Sequence, residues 1–372
     1  MKRDATHEDR HLFKRFPCYR ESLSWIPLAD LPTRVHRLDR LSEEIGSNVW
    51  IKRDDEDSTL YSGNKPRKFE FIFGEARSRG CRAIITSGSM GSNHGTGTAL
   101  FGRELGFEVL LVLSPQPILS YVRQNILVNL SHQARMIPQG SQPGSVLRIL
   151  SLMASRRVSE GRWPYFMYFG GSSIVGNLGF VEAGLELAAQ VEKGELPRPR
   201  YVFVPTGSCG THAGLEVGFR LAGLDTQIVG VRIVPKIVTN RHVVANLANR
   251  TARYLRQRSN CIPQMRIRPS EITLLDEFFG GEYGRPTPDG KQAIGLLRRT
   301  EGLPLDPTYT GKAFAGMLDF LKKRNIGNEP VLYWQTLNGV DLQSYIDPRI
   351  ETASLPAKIR RYFEEELYDP DL

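Results

Sequence analysis

A lysine held in a turn, with a proline after it and an apolar helix behind it, can do chemistry that a solvated surface lysine cannot. Lys65 stands in Ser62-Gly63-Asn64-Lys65-Pro66-Arg67-Lys68. Pro66 has no amide proton and a fixed φ, which suits the first position of a helix, so Lys65 is expected where a loop becomes that helix. Phe69, Ile72, Phe73 and Ala76 follow at the i, i+3, i+4, i+7 spacing of one buried stripe, and Gly80 closes the helix. An amine at the mouth of a rigid helix can be desolvated, which lowers its pKa and lets it form a Schiff base with an aldehyde. Most lysines are solvated surface groups, so Lys65 carries weight only in company.

That company lies in two further stretches. The run Thr206-Gly207-Ser208-Cys209-Gly210-Thr211-His212-Ala213-Gly214 follows the apolar strand text Tyr201-Val202-Phe203-Val204 and opens a helix. At such a junction backbone amides converge on an anion and the helix dipole supports it, with Ser208 and Thr211 adding hydroxyl donors. The pattern is neither the dinucleotide GxGxxG nor a P-loop, and its bland reading is a tight strand-to-helix turn. Ser92-Asn93-His94 follows another strand text, at the edge where parallel α/β sheets bind ligands.

Taken with Asp306-Pro307-Thr308-Tyr309-Thr310-Gly311-Lys312, these stretches resemble the pyridoxal-phosphate (PLP) enzymes of the tryptophan synthase β-like fold type II. More narrowly, the chain is similar to the group holding D-cysteine desulfhydrase and 1-aminocyclopropane-1-carboxylate (ACC) deaminase. The resemblance covers roughly Leu28 to Gly339. It implies that Lys65 binds PLP covalently, that Gly207, Ser208, Cys209, Gly210 and Thr211 hold the phosphate with Lys68 in reach of it, and that Asn93 bonds the ring oxygen. It further implies that Ser92 lies beside the substrate and moves protons, that His94 meets the substrate carboxylate, and that Tyr283 and Tyr309 are active-site tyrosines.

Two positions bear on the reaction. Where ACC deaminases commonly carry a glutamate and a leucine, this chain has Thr310 and Thr336, as desulfhydrase-like members do. A threonine beside the pyridine nitrogen leaves it neutral, since a hydroxyl does not stabilise a pyridinium as a carboxylate does. The implied reaction is therefore β-elimination from a small amino acid, giving pyruvate, ammonia and a thiol or sulfide. ACC ring opening to 2-oxobutyrate is the alternative, and a non-catalytic anion-binding protein that keeps the fold is a second. Leu337 stands where the family has a glycine, which is expected to narrow a pocket there.

The bulk composition agrees with an enzyme of ordinary type. The 372 residues are 40% hydrophobic and 24% charged, which excludes disordered and collagen-like classes. The net charge of +9 is spread along the chain, so it favours small anions over nucleic acid. Cys18, Cys81, Cys209 and Cys261 form no CxxC pair, so neither a metal site nor a disulfide framework is expected, and a reducing cytoplasm fits. No stretch reads as a secretory signal or reaches the roughly 18 apolar residues of a bilayer span. A soluble homodimer with no membrane partner is expected.

The elements alternate. Strand texts at 81–86, 108–113, 135–137 and 165–168 are separated by helical periodicity at 98–105, 118–129 and 146–158. Beyond a helix at 180–192 and the proline-bearing 193–200, the alternation resumes with strands at 201–204, 227–234 and 331–334 and helices at 239–257, 291–300 and 312–323. This predicts mostly parallel sheets covered by helices on both faces, and the resemblance implies two open, twisted α/β domains with the cofactor between them. The larger would take 1–67 and about 180–372, the smaller about 68–179. Residues 1 to about 25 are expected to form an arm on the surface or on a partner subunit.

Overall fold

The computed structural model describes residues 5–324 and 326–368. The strands, in chain order, are β1 (Val35–Arg37), β2 (Val49–Arg53), β3 (Ala83–Ser89), β4 (Glu108–Ser114), β5 (Arg135–Pro138), β6 (Tyr165–Met167), β7 (Tyr201–Thr206), β8 (Gln227–Arg232), β9 (Thr273–Leu275) and β10 (Val331–Gln335). The first six helices are α1 (His11–Arg15), α2 (Asp39–Ile45), α3 (Asn64–Ser78), α4 (Asn93–Glu104), α5 (Ser120–Ser131) and α6 (Gln142–Glu160). They are followed by α7 (Leu178–Glu192), α8 (Gly210–Ala222), α9 (Arg241–Arg258), α10 (Pro288–Glu301), α11 (Thr310–Arg324) and α12 (Ala357–Glu364). The chain divides into two compact α/β units, one running through Phe71 and from Ser172 to Gly339, the other from Ile72 to Gly171 and from Val340 onward.

The first unit holds a sheet in the order β1-β2-β10-β7-β8-β9. Only β1 against β2 is antiparallel; β2, β10, β7, β8 and β9 run parallel. Every residue of β7 and β10 is buried, which is why both read as continuous apolar runs and not as alternating text. Because neighbouring parallel strands end on one edge, β2, β10 and β7 deliver three loops side by side: the one entering α3, the one carrying Thr336, and the glycine run before α8. The second unit has the all-parallel order β5-β4-β3-β6, and its strand β3 leads to Ser92 at the start of α4.

Three expectations are corrected. The N-terminal stretch is not a surface arm: Leu12, Phe13 and Tyr19 are fully buried in a core with Phe71, Leu178 and Val181. Its Arg10 side chain, also buried, bonds Glu70 Oε2 at 3.1 Å and the Ala29 carbonyl at 2.9 Å. Cys18 and Cys261 form a disulfide across 243 residues, so the cysteines are not all unpaired thiols. Residues 340 onward belong to the second unit, not the larger one, because Ile359 and Tyr362 of α12 pack into its core with Val122 and Ile126. No helix among the described residues is long and apolar enough to cross a membrane.

The buried start of the chain has a measurable pH signature. Glu182 on α7 is buried and accepts the backbone N–H groups of Leu12 and, at 2.7 Å, His11. Desolvation, with the nearby Glu186 charge, outweighs these bonds and pushes its pKa up to about 7. A carboxyl raised in the folded state gives stability that is complete below its unfolded pKa, roughly 4.3, and is lost as pH rises toward about 7. Wild-type stability from urea unfolding is therefore expected to fall between pH 5 and 7, and Glu182→Gln to remove most of that fall. Parallel curves for the two proteins would contradict this assignment.

Candidate active site

Lys65 sits in the first turn of α3, as its neighbour Pro66 predicts. The approach to it is tight. Gly63 has φ +88°, and a Cβ there would lie 2.5 Å from the Thr336 carbonyl oxygen and 2.6 Å from that of Leu337. Only glycine lets the entry to α3 press against the end of β10 in this way. The Asn64 amide then bonds the Thr336 carbonyl at 3.3 Å. On the other side of the same turn, Ser62 N donates to Asn338 Oδ1 at 2.8 Å and Gly339 N donates to Ser62 Oγ at 2.7 Å. Leu337 and Asn338 thus form part of a latch on the lysine loop: the Leu337 main chain fills the Gly63 slot and the Asn338 amide fastens Ser62.

The Lys65 ammonium donates to Asn64 Oδ1. The residue as a whole is only half-buried, yet its amine is desolvated, which lowers the pKa to about 8 against the smaller opposing pull of Asp306 and Asp57. One turn along α3, Lys68 is buried, and desolvation together with the Lys65 charge holds it well below the usual lysine range. Two desolvated amines side by side suit an anionic ligand bearing an electrophile.

Lys68 Nζ donates to Ser172 Oγ at 3.3 Å, and Ser172 Oγ lies 2.7 Å from Ser208 Oγ and accepts the Gly210 amide at 3.1 Å. A Cβ on Gly210 would stand 2.3 Å from Ser172 Oγ, so glycine is required for this cluster to close. Cys209, the residue before α8, has φ +67° in the left-handed region and is buried. Its thiol, raised by desolvation, lies 3.5 Å from Thr239 Oγ1. Asn64 Nδ2 reaches Thr211 Oγ1 at 3.5 Å, linking the lysine turn to this loop. The sequence reading missed Ser172. Its signal was the turn Gly170-Gly171-Ser172-Ser173, where two glycines with positive φ precede two hydroxyls.

The tyrosines meet. Tyr283 and Tyr309 share a hydroxyl–hydroxyl hydrogen bond, with ring centroids 6.0 Å apart and planes at 74°. Asp306, also missed by the sequence reading, orders this end of the site. Its carboxylate accepts the backbone amides of Thr308 at 2.9 Å, Tyr309 at 2.7 Å and Thr310 at 3.0 Å, capping α11. The Thr310 hydroxyl donates to Asp306 Oδ2 at 2.6 Å and accepts the Asp306 amide at 2.7 Å, so it is committed to the cap.

In the second unit, Ser92 caps α4 by accepting the Gly95 amide at 3.2 Å. Asn93 Oδ1 accepts from Asn125 Nδ2 at 3.0 Å, which leaves the Asn93 Nδ2 group as the donating end. His94 is buried, with Nε2 3.0 Å from Thr86 Oγ1. Thr86 spends its single proton on the Met167 carbonyl at 2.8 Å, so His94 donates from Nε2.

In the first unit the donor set fits both ends of PLP. Lys68, the Ser172, Ser208 and Thr211 hydroxyls and the amide end of α8 suit a phosphate dianion, and the desolvated Lys65 amine suits the aldehyde. A family model described as "Pyridoxal-phosphate dependent enzyme" matches residues 26–336. The chain is 35% identical over 335 residues to the D-cysteine desulfhydrase of Yersinia enterocolitica serotype O:8 / biotype 1B, covering 87% of this chain and 97% of that one. With the D-cysteine desulfhydrase of Klebsiella pneumoniae subsp. pneumoniae it shares 34% over 335 residues, 86% of this chain and 95% of the other. Among solved structures it is similar to an ACC deaminase homologue, at 30% identity and TM-score 0.74, covering 87% of this chain and 94% of that one. The threonine deaminase isoform 2 of Solanum lycopersicum shares the fold at 17% identity and TM-score 0.56, over 84% of this chain and 81% of that one. The chain belongs to the pyridoxal-phosphate-dependent enzymes, in the tryptophan synthase β-like fold type II.

Proposed function

We propose that the protein catalyses β-elimination from D-cysteine or a close analogue: D-cysteine and water give pyruvate, ammonia and hydrogen sulfide. The observation that carries this reading is the 35% identity to a D-cysteine desulfhydrase across 97% of that enzyme's length. The small hydroxyl residues Thr310 and Thr336, in place of a glutamate and a leucine, favour elimination over ring opening.

Bound PLP supplies an electron sink that acidifies the substrate Cα–H bond. Lys65, with an amine pKa near 8, serves both as covalent anchor and, when released, as the base that takes the Cα proton. Lys68, Ser172, Ser208, Thr211 and the amides of Gly207 and Cys209 would hold the phosphate, with Gly210, whose amide bonds Ser172 Oγ, shaping the loop around it. Tyr283 and Tyr309 share a proton across their hydroxyls and hand it to the departing thiolate. Asn93 would donate to the ring oxygen, Ser92 assists proton transfer, and His94, its Nε2 proton held by Thr86, lies against the substrate carboxylate. Thr310, its hydroxyl committed to the Asp306 cap, would stand by the pyridine nitrogen without bringing charge to it, and Thr336 lends its carbonyl to the lysine turn.

A cytoplasmic homodimer completes the reading. That compartment requires the Cys18–Cys261 bridge to stand in a reducing environment, where such bonds are uncommon. The ACC deaminase homologue, at 30% identity, supports ring opening of ACC as the second reading. Purified protein given D-cysteine or 3-chloro-D-alanine is expected to release pyruvate, detected by a coupled lactate dehydrogenase assay. Formation of 2-oxobutyrate from ACC, with no product from D-cysteine, would establish the second reading in its place.

A further inference from the structure

Lys312 is fully buried, in the first turn of α11 and three residues beyond Tyr309. Its ammonium donates to the Phe279 carbonyl at 2.7 Å and lies 5.8 Å from the centroid of the Phe279 ring. Phe279 begins the loop that carries Tyr283. Within that loop Gly280, Gly281 and Gly284 have φ of +77°, +83° and +81°, so the backbone between the core and Tyr283 has little stiffness of its own. At its far end Thr287 caps α10, and a Cβ on Gly280 would stand 2.4 Å from the Thr287 methyl.

Stability alone gives no reason for a lysine here. Burying an ammonium is costly, and replacing a buried charge by an apolar residue of similar volume is often neutral or stabilising. Desolvation lowers the Lys312 pKa to about 8 against the pull of Asp306, a sign of that cost. What the lysine supplies is reach. From the turn that follows Tyr309 it grips the tyrosine loop at Phe279, while Tyr309 itself meets the loop at the Tyr283 hydroxyl. Two points three residues apart, Tyr309 just before α11 and Lys312 in its first turn, thereby hold the loop at Tyr283 and at Phe279.

We propose that Lys312 is a positioning residue for the reaction, anchoring the Phe279 carbonyl so that the Tyr283 hydroxyl is held against that of Tyr309. The inference rests on the reading of that tyrosine pair as the proton-holding groups, and it adds a residue that touches neither substrate nor cofactor.

The test is a double-mutant cycle between Lys312→Met and Tyr283→Phe, reading kcat with D-cysteine, cofactor absorbance and urea stability. Lys312→Met is expected to bind cofactor fully, to be at least as stable as wild type, and to lose roughly ten- to a hundredfold in kcat. In the Tyr283→Phe background the same change is expected to cost less than about twofold, because the group it positions is already gone. In the holoenzyme, Glu-specific protease is expected to cut after the exposed Glu282 several-fold faster in the methionine variant, a readout independent of turnover. Equal losses in both backgrounds, or no loss in either, would overturn the positioning role. An unchanged kcat in Tyr283→Phe alone would instead overturn the reading of the tyrosine pair. If Lys312→Met does not fold, Lys312→Gln, shorter by one bond and uncharged, enters the same cycle with the same expected pattern.

Discussion

Lys65→Ala protein is expected to lose the visible absorbance of covalently held PLP and to fall in turnover by at least about a thousandfold. The effect is large because one amine fills two roles, anchor and base, and because the neighbouring Lys68 is spent on Ser172 beside the phosphate loop. Borohydride reduction followed by peptide mass spectrometry is the direct check, with the cofactor mass on the peptide containing residue 65 in wild type and on no peptide in the variant. An adduct on Lys68 or Lys312 in the wild type would remove the foundation of the proposed mechanism. The variant is expected to stay folded, since the lysine is half-buried and, among the described residues, its side chain bonds the neighbouring Asn64 alone.

The second large effect is on stability. Two residues beyond Lys65, Arg67 points into the core and joins a buried set of opposite charges. Its guanidinium bonds Asp54 at 2.9 and 2.8 Å, Glu186 at 2.8 and 3.0 Å, and Thr33 Oγ1 at 3.0 Å. Lys52, also buried, bonds Glu186, Gln190 at 2.7 Å and the Thr33 carbonyl at 2.8 Å, and Trp334 donates its indole N–H to Asp54 at 2.7 Å. Two cations face two carboxylates, so the set is neutral only while complete. Burial alone would raise the Glu186 pKa, but Arg67 and Lys52 hold it well below the usual carboxylate range.

Arg67→Met leaves Asp54 and Glu186 buried with one cation between them, at an expected cost of about 3–5 kcal/mol. Urea unfolding of the apoenzyme should show it as a lowered midpoint, and cofactor affinity should fall too because the same helix turn carries Lys65. Restoring neutrality by adding Asp54→Asn is expected to recover part of the loss. A double variant no more stable than Arg67→Met would mean that packing, not charge balance, governs the site.

These two effects also mark how far the residues could be read in one dimension. Pro66 and the apolar stripe behind it located Lys65 at a helix mouth, and the glycine run after β7 announced an anion site, because local backbone rules act over a few residues. The βα alternation likewise told of parallel sheets, since strands buried on both faces leave unbroken apolar text. Even so, the short strand β9 and the helix α12 went unread, because three residues carry little periodic signal and α12, though amphipathic, is only eight residues long and lies beyond the stretch the resemblance covers.

The N-terminal stretch was misread for a related reason. Leu12, Phe16, Tyr19 and Leu23 recur at helical spacing, but Arg10, Lys14, Arg15 and Arg20 between them look like solvated surface until Glu70 and the core are brought near.

The partners of Ser172, the role of Asp306, the Cys18–Cys261 bridge and the charge set around Arg67 belong to folding alone. Each depends on groups separated in the chain or on a side chain spent on its own backbone, and neither composition nor spacing encodes which buried charge will face which. Types of chemistry follow from residue kinds and nearby turns. Partners follow from the strand order β2-β10-β7, which brings positions 63, 336 and 208 to one sheet edge although they lie far apart in the chain.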